Sequence, residues 1–270
     1  MDGALERTVR AFGGAAPSYN TIGPRLFTHY AAKLVEFAGV MTAGDVLDVA
    51  TGTGAVLLEA ARLPGRGRLV GVDVTKAMLT RAAAEGDLRR LAGLELQLMD
   101  AHALGFPDAA FDVVFCAFAF SSFPNKPKAM YEFVRVLRPG GRVCIADAFG
   151  WYFDQDPRWV WHRHLLEEFS DLEAVTDAFG PQELRDLLAS SGLTKVAVKE
   201  EFYDLTFTDE EEWWRWSWSH GTRLLLNVIP GSRREDFRSA AFAELRGVQA
   251  REGVITATMR ATLMRADKPQ

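Results

Sequence analysis

The sequence predicts an α/β fold built on a seven-stranded mixed sheet whose last strand runs antiparallel. Three observations predict it. From residue 45 onward, short β-branched runs alternate with helical patterns, as parallel strands joined by crossover helices do. Glycine and aspartate gather where the first two of those runs end. After residue 150 the rhythm gives way to longer helical stretches, two further alternating strands and all seven tryptophans of the chain.

In chain order, two helices are expected first, over Leu5–Phe12 and Pro24–Phe37. The strands that follow are Val46–Val49, Leu69–Asp73, Glu95–Met99, Val113–Ala117 and Arg142–Asp147. Helices Ala55–Arg62, Lys76–Ala84 and Lys126–Leu137 connect them, the last stopped by Pro139-Gly140-Gly141. Asp156-Pro157 reads as an N-cap with proline in the first turn, opening a helix through Phe169. Pro181–Ser190 is helical and Lys195–Phe207 alternates as a sixth strand. Thr208-x-x-Glu211 matches a capping box and opens a helix carrying Trp213, Trp214, Trp216 and Trp218. A helix over Arg233–Arg251 and a strand over Val254–Arg265 complete the chain. An insertion of about 45 residues therefore separates the last two strands, with boundaries uncertain by ~2–4 residues. The expectation is one domain over 1–270, with a helical lid (1–44), a ligand-binding core (45–150) and substrate-side helices with the last two strands (151–270).

Charged residues make up 25% and apolar ones 48% of the 270, enough for a full core. The net charge is -5 with no basic run, which argues against a nucleic-acid partner. The longest apolar run, Val113–Phe120, falls short of the roughly 20 residues of a membrane span. The start lacks the layout of a secretory signal, so a cytoplasmic protein is expected. Cys116 and Cys144 fall inside expected strands as small buried hydrophobes and form no metal site. A homodimer is compatible with the sequence.

The chemistry concentrates at three strand ends. Asp48-Val49-Ala50-Thr51-Gly52-Thr53-Gly54 leaves the first strand and enters a helix, and glycines there let the backbone approach a ligand at the carboxyl edge of the sheet. Asp73 ends the second strand and can accept both hydroxyls of a ribose; as a strand-end carboxylate it is read as carrying no packing. Asp48 argues against a dinucleotide, whose anionic pyrophosphate it would repel, and Leu57 stands where that motif needs a small residue. A ligand carrying a cationic amine and a sulfonium is attracted instead. Asp100-Ala101 ends the third strand, with a carboxylate and an amide suited to an adenine edge. His102, in the loop that follows, is read as a surface residue.

With these residues in place, VLDVATGTG, VGVDVTKAML, MDAHALGFPDAAFDVV and EFVRVLRPGGRV resemble the successive motifs of class I, Rossmann-like S-adenosylmethionine-dependent methyltransferases of the ubiquinone/menaquinone-biosynthesis type. The resemblance covers about residues 17–150. It implies S-adenosylmethionine as cofactor and a small-molecule substrate. It implies that Asp48 orients the methionine amine, that Gly52 and Gly54 line the methionine and ribose, and that Asp73 holds the ribose hydroxyls beside Val74. Asp100 and Ala101 read the adenine, Ala117 offers its carbonyl to the amine, and Tyr19 covers the cofactor. Ala50 replaces the usual first glycine, a small-for-small change expected to be tolerated.

On a helical wheel Trp214 and Trp218 share one face, read as core. Trp213, Trp216 and His220 share another, which reads equally as packing or as the wall of a pocket for an apolar or aromatic acceptor, with Phe118 a further substrate-side residue. His220 and His162 are the candidate bases. The strand-four exit, Ala117–Ser122, lacks the Asn/Asp-Pro-Pro-aromatic run of base methylation, so O- or C-methylation of a natural-product-like acceptor is expected. The alternatives are a pericyclase or lyase that binds the cofactor without transferring methyl, and a non-catalytic binding protein.

Overall fold

Strands β1 (Val46–Val49) and β2 (Leu69–Asp73) are buried at every position, the signature of parallel strands covered on both faces. They form the centre of the sheet in a computed structural model that describes residues 3–39, 44–65, 67–85, 87–91, 93–149, 156–170 and 179–270. Trp151 and the expected boundary at residue 150 lie outside these residues. With β3 (Leu94–Leu98), β4 (Phe111–Ala117), β5 (Leu137–Asp147), β6 (Thr194–Phe207) and β7 (Ile255–Asp267), the sheet runs in the order β3-β2-β1-β4-β5-β7-β6. The first five strands pair in parallel, and β7 lies antiparallel to both β5 and β6. This is the expected Rossmann-like mixed sheet.

The two-residue period of the strands sorts the core into two layers. Val46, Leu69, Val113, Phe115 and Cys144 face one side, and join buried residues of α2 (Leu26–Ala38), α3 (Ala55–Ala60) and α10 (Arg234–Glu252). Leu47, Val49, Val70, Val114, Cys116 and Ile145 face the other, with α5 (Lys126–Val136) and α7 (Pro181–Ser190). Helices α1 (Gly3–Ala15), α4 (Lys76–Ala84) and α6 (Val160–Phe169) complete the layers. No helix of the described residues is long and apolar enough to cross a membrane.

Between β6 and β7 the helix expected to carry the four tryptophans is split into two, α8 (Glu210–Ser217) and α9 (Thr222–Val228). The break has a local cause. The Trp216 carbonyl accepts from the Ser219 amide at 2.9 Å, from the Ser219 hydroxyl at 2.7 Å and from His220 Nδ1 at 2.7 Å. Those donors occupy the oxygen that the next helical turn needs. The cap is also shifted by one residue: Asp209 accepts from the Glu212 amide at 2.7 Å, while Glu212 takes the Thr208 amide at 2.7 Å and its hydroxyl at 2.9 Å.

All five parallel strands point their carboxyl ends to one edge, and the order of strands reverses between β1 and β4. Open α/β sheets bind their ligands at such a switch point. The chain leaves β1 there through Ala50, whose φ is 57°. Left-handed backbone is unstrained for glycine and costs other residues about 1–2 kcal/mol, so alanine here is tolerated at a cost. Ala50→Gly should therefore raise stability by about 1 kcal/mol, seen as a melting temperature about 2–4 °C higher.

Candidate active site

Two adjoining cavities open at this edge, and Tyr19, Ala50, Gly52, Ala117 and Phe118 line both. The larger adds Asp73, Val74, Asp100 and Ala101, together with Leu5, Thr8 and Phe12 of α1. The smaller adds Asp48, Thr51 and Phe27. Nine of the ten residues expected at a cofactor thus lie on these walls.

The exception is Gly54. It sits at the start of α3 with φ 84°, and a Cβ added there would stand 2.4 Å from Leu88 Cδ1. Its glycine is demanded by the turn and by Leu88 beneath it, so its place is under the site. Gly52, at φ 56°, has only Tyr19 Cε1 near a would-be Cβ, at 3.9 Å. That is the backbone a ligand can approach.

The carboxylates are held in place. Asp48 is buried at the end of β1 and accepts from the Thr51 hydroxyl at 2.6 Å. Burial pushes its carboxyl up to about 7, against the Thr51 hydrogen bond and with help from the negative Asp73. Asp73 Oδ2 accepts from the Gly52 amide at 2.9 Å and its Oδ1 from the Thr75 amide at 2.7 Å. Burial raises its carboxyl too, in spite of those donors. Asp147 is buried at the end of β5. It accepts from the Ser121 amide at 2.8 Å and the Ala148 amide at 3.0 Å, and burial lifts it to about 6. It ties the loop after β4 to the end of β5.

The chain after β4 turns through Phe118 at φ 55°, an uncommon conformation for a bulky residue. Its ring lies 5.4 Å from Phe27 and 5.2 Å from Tyr30, and Phe27 stacks on Tyr19 at 4.8 Å. An aromatic wall drawn from the N-terminal segment and the β4 exit thus borders both cavities.

Trp213 and Trp216 stand elsewhere. Both are buried, and neither lines either cavity. Trp213 packs among Trp159, Trp161 and His162, and Trp216 against Phe207 and His220. The half-buried rings on α8 and its exit are Trp214 and Trp218, the face that the sequence placed in the core. His220 meets Phe27 of the smaller cavity edge-on at 5.9 Å. Burial lowers both His220 and His162 to about 4, the former against its hydrogen bond to Trp216. The insertion supports the aromatic wall from behind.

Sequence reasoning missed the α1 residues, Phe27 and His102. His102 is tucked against the larger cavity and is not a surface group. Its position directly after Asp100-Ala101 was the available signal.

The family model described as a methyltransferase domain matches residues 47–145. The chain is 31% identical over 169 residues to a ubiquinone/menaquinone biosynthesis C-methyltransferase, UbiE, of Geotalea daltonii, spanning 59% of this chain and 68% of that one. The chain belongs to the class I S-adenosylmethionine-dependent methyltransferases. Its cofactor is S-adenosylmethionine. This methyltransferase is also 27% identical to the nocamycin O-methyltransferase of Saccharothrix syringae, over 92% of this chain and 93% of that one. Among solved structures, the YcgJ protein of Bacillus subtilis shares the fold with a TM-score of 0.61 at 21% identity, covering 90% and 99% of the two chains.

The hydrogen bonds of Asp73 overturn the expectation that it carries no structure. Asp73→Ala leaves two backbone donors unmatched and should destabilise the ligand-free enzyme by about 1–3 kcal/mol. Urea unfolding measures this; an unchanged midpoint would show that the two amides find other partners.

Proposed function

We propose that this methyltransferase O-methylates a small, apolar or aromatic, natural-product-like acceptor. The observation that carries this reading is the aromatic wall of Tyr19, Phe27 and Phe118 at the junction of the two cavities. Flat apolar molecules bind well against such rings. Oxygen is favoured as the methylated atom because the nocamycin O-methyltransferase aligns over 92% of this chain, well beyond the cofactor-binding core.

S-adenosylmethionine supplies an electrophilic methyl group when bound. The chain's task is then alignment and exclusion of water, effects worth up to roughly 7–11 kcal/mol in well-oriented reactions. Asp48 takes the methionine amine, Asp73 the ribose hydroxyls, and Asp100 and Ala101 the adenine edge, with Val74 beside it and the Ala117 carbonyl near the amine. Phe118 and Tyr19 separate the reacting centre from solvent and hold the acceptor plane. His220 and His162 lie behind this wall and are assigned no proton transfer.

The decisive experiment incubates the purified enzyme with S-adenosylmethionine and a panel of phenolic and enolic acceptors. The expected result is a product heavier by one methylene, linked to oxygen, with one S-adenosylhomocysteine formed per turnover. Turnover confined to carbon or amine acceptors would overturn the O-methylation reading.

Two variants follow from the site. A cation at Asp48 needs the carboxylate ionised, so below its value of about 7 a proton must leave before the cofactor binds. Affinity for S-adenosylmethionine should rise between about pH 6 and pH 8 and level off above. Asp48→Asn should flatten that profile and weaken binding by about 10- to 150-fold at the upper end, the worth of one charge-assisted hydrogen bond. Calorimetry across pH checks both. His220→Ala should lower the melting temperature without the roughly 10²–10⁴-fold loss of turnover that removal of a general base brings.

A further inference from the structure

Strand β6 closes one end of the sheet, and it is long for an edge: 14 residues, Thr194–Phe207. An edge strand offers unpaired backbone donors and acceptors to another strand, and proteins blunt such edges with bulges or charge. Here the register shift lies between Thr194 and Ala197, with Lys195 at φ 52°, so only the start of the edge is blunted. From Ala197 to Phe207 the pairing with β7 is regular. Two of the five most exposed large apolar side chains among the described residues, Val198 and Phe202, stand on this edge, at 40% and 57%. They share one face of the strand with Glu200, while Lys199 and Glu201 share the other, 3.0 Å apart.

We propose that β6 pairs antiparallel with β6 of a second copy of this chain, about a two-fold axis through Glu200, so that two seven-stranded sheets join into one. A two-fold axis normal to the sheet keeps each residue on its own face, so the axis must pass through a residue. A centre on Glu200 sets Phe202 opposite the partner's Val198 and Lys199 opposite the partner's Glu201, each contact occurring twice. Centres on Lys199 or Glu201 set one of those charges against its own copy, which is unfavourable. A centre on Val198 runs the pairing into the bulge. Glu200 meets its own copy on the proposed axis, but its charge is already countered: Arg260 Nε stands 3.0 Å away and the Thr262 hydroxyl donates to it at 2.8 Å. The pairing thus fills the free edge, covers the two exposed apolar groups and joins opposite charges at once. It uses none of the residues that line either cavity, so it stands apart from the choice of acceptor.

Sedimentation of the purified enzyme over a concentration series should show a reversible monomer–dimer equilibrium, as a small interface gives. Phe202→Asp should weaken dimerisation by about 10- to 100-fold, since a two-fold axis counts the loss twice. It should leave the affinity for S-adenosylmethionine unchanged. Lys199→Glu should weaken the dimer too, and Lys199→Glu combined with Glu201→Lys should restore it, a rescue that general damage to the edge would not give. Oxidative cross-linking reads the register, with the native Cys116 and Cys144 buried out of reach. Glu200→Cys brings two thiols together on the axis and should give a disulfide-linked dimer. Phe202→Cys places its two copies four residues apart, about 13 Å along the strand, beyond the span of a disulfide, and should not. A monomer at every concentration, a dimer indifferent to Phe202→Asp, a failed charge-swap rescue, or cross-linking through position 202 in preference to 200 would each overturn the assignment.

Discussion

The placing of buried carboxylates at the carboxyl edge of the sheet is the constraint on which the rest of this structure turns. Asp48 and Asp147 are fully enclosed and Asp73 nearly so, and each is held up by burial. A folded chain accepts such groups at a cost, because an ionised carboxylate loses far more hydration than two or three hydrogen bonds return. The arrangement makes sense as preparation for a cationic ligand. Negative potential is stored where the strands end, and neighbouring backbone is fixed by the same groups. Asp73 holds Gly52 and Thr75, and Asp147 holds Ser121, so the acids that create the potential also shape the loops that border the cavities.

That coupling explains why the cofactor half was legible in the sequence. A strand-end aspartate, a left-handed turn and a helix start are all local, and the parallel sheet brings every such edge to one side. Of the nine expected cofactor residues on the cavity walls, all but Tyr19 stand there for that reason. Gly54 shows the limit of the reading. A glycine in a loop can serve a ligand or a packing neighbour, and only the fold reveals Leu88 beneath it. His102 shows the opposite limit: its pairing with Asp100 is local, but its burial depends on Phe123 from the next loop.

The aromatic wall was far less legible, because it comes from segments remote in sequence. Phe27, with Tyr19 stacked on it, meets Phe118 across some ninety residues, and no periodicity of one helix encodes that contact. The tryptophan helix misled for a physical reason. A helical wheel assumes that the helix continues, whereas three donors on the Trp216 carbonyl end it at Ser217. Once the chain turns there, the face mixing Trp213, Trp216 and His220 points inward to Phe207, Trp159 and Phe27, and the face carrying Trp214 and Trp218 lies nearer the surface.

The two halves therefore answer to different physics, and the seam between them is strained. Ala50 and Phe118, one leaving β1 and one leaving β4, both adopt left-handed backbone and both line the two cavities. They flank the point where strand order reverses. Uncommon backbone persists only where surrounding packing over-determines it, and here the packing is substantial: Phe27 and Tyr30 clamp Phe118, while the Thr51 amide bonded to the Val72 carbonyl at 3.0 Å anchors the turn beside Ala50. The Phe118 conformation turns the ring toward the aromatic wall and leaves the neighbouring Ala117 on both cavity walls. A relaxed backbone at either position would re-aim the aromatic wall that borders both cavities. Strain at this seam is thus the structural link between the buried carboxylates at the strand ends and the aromatic wall beside them.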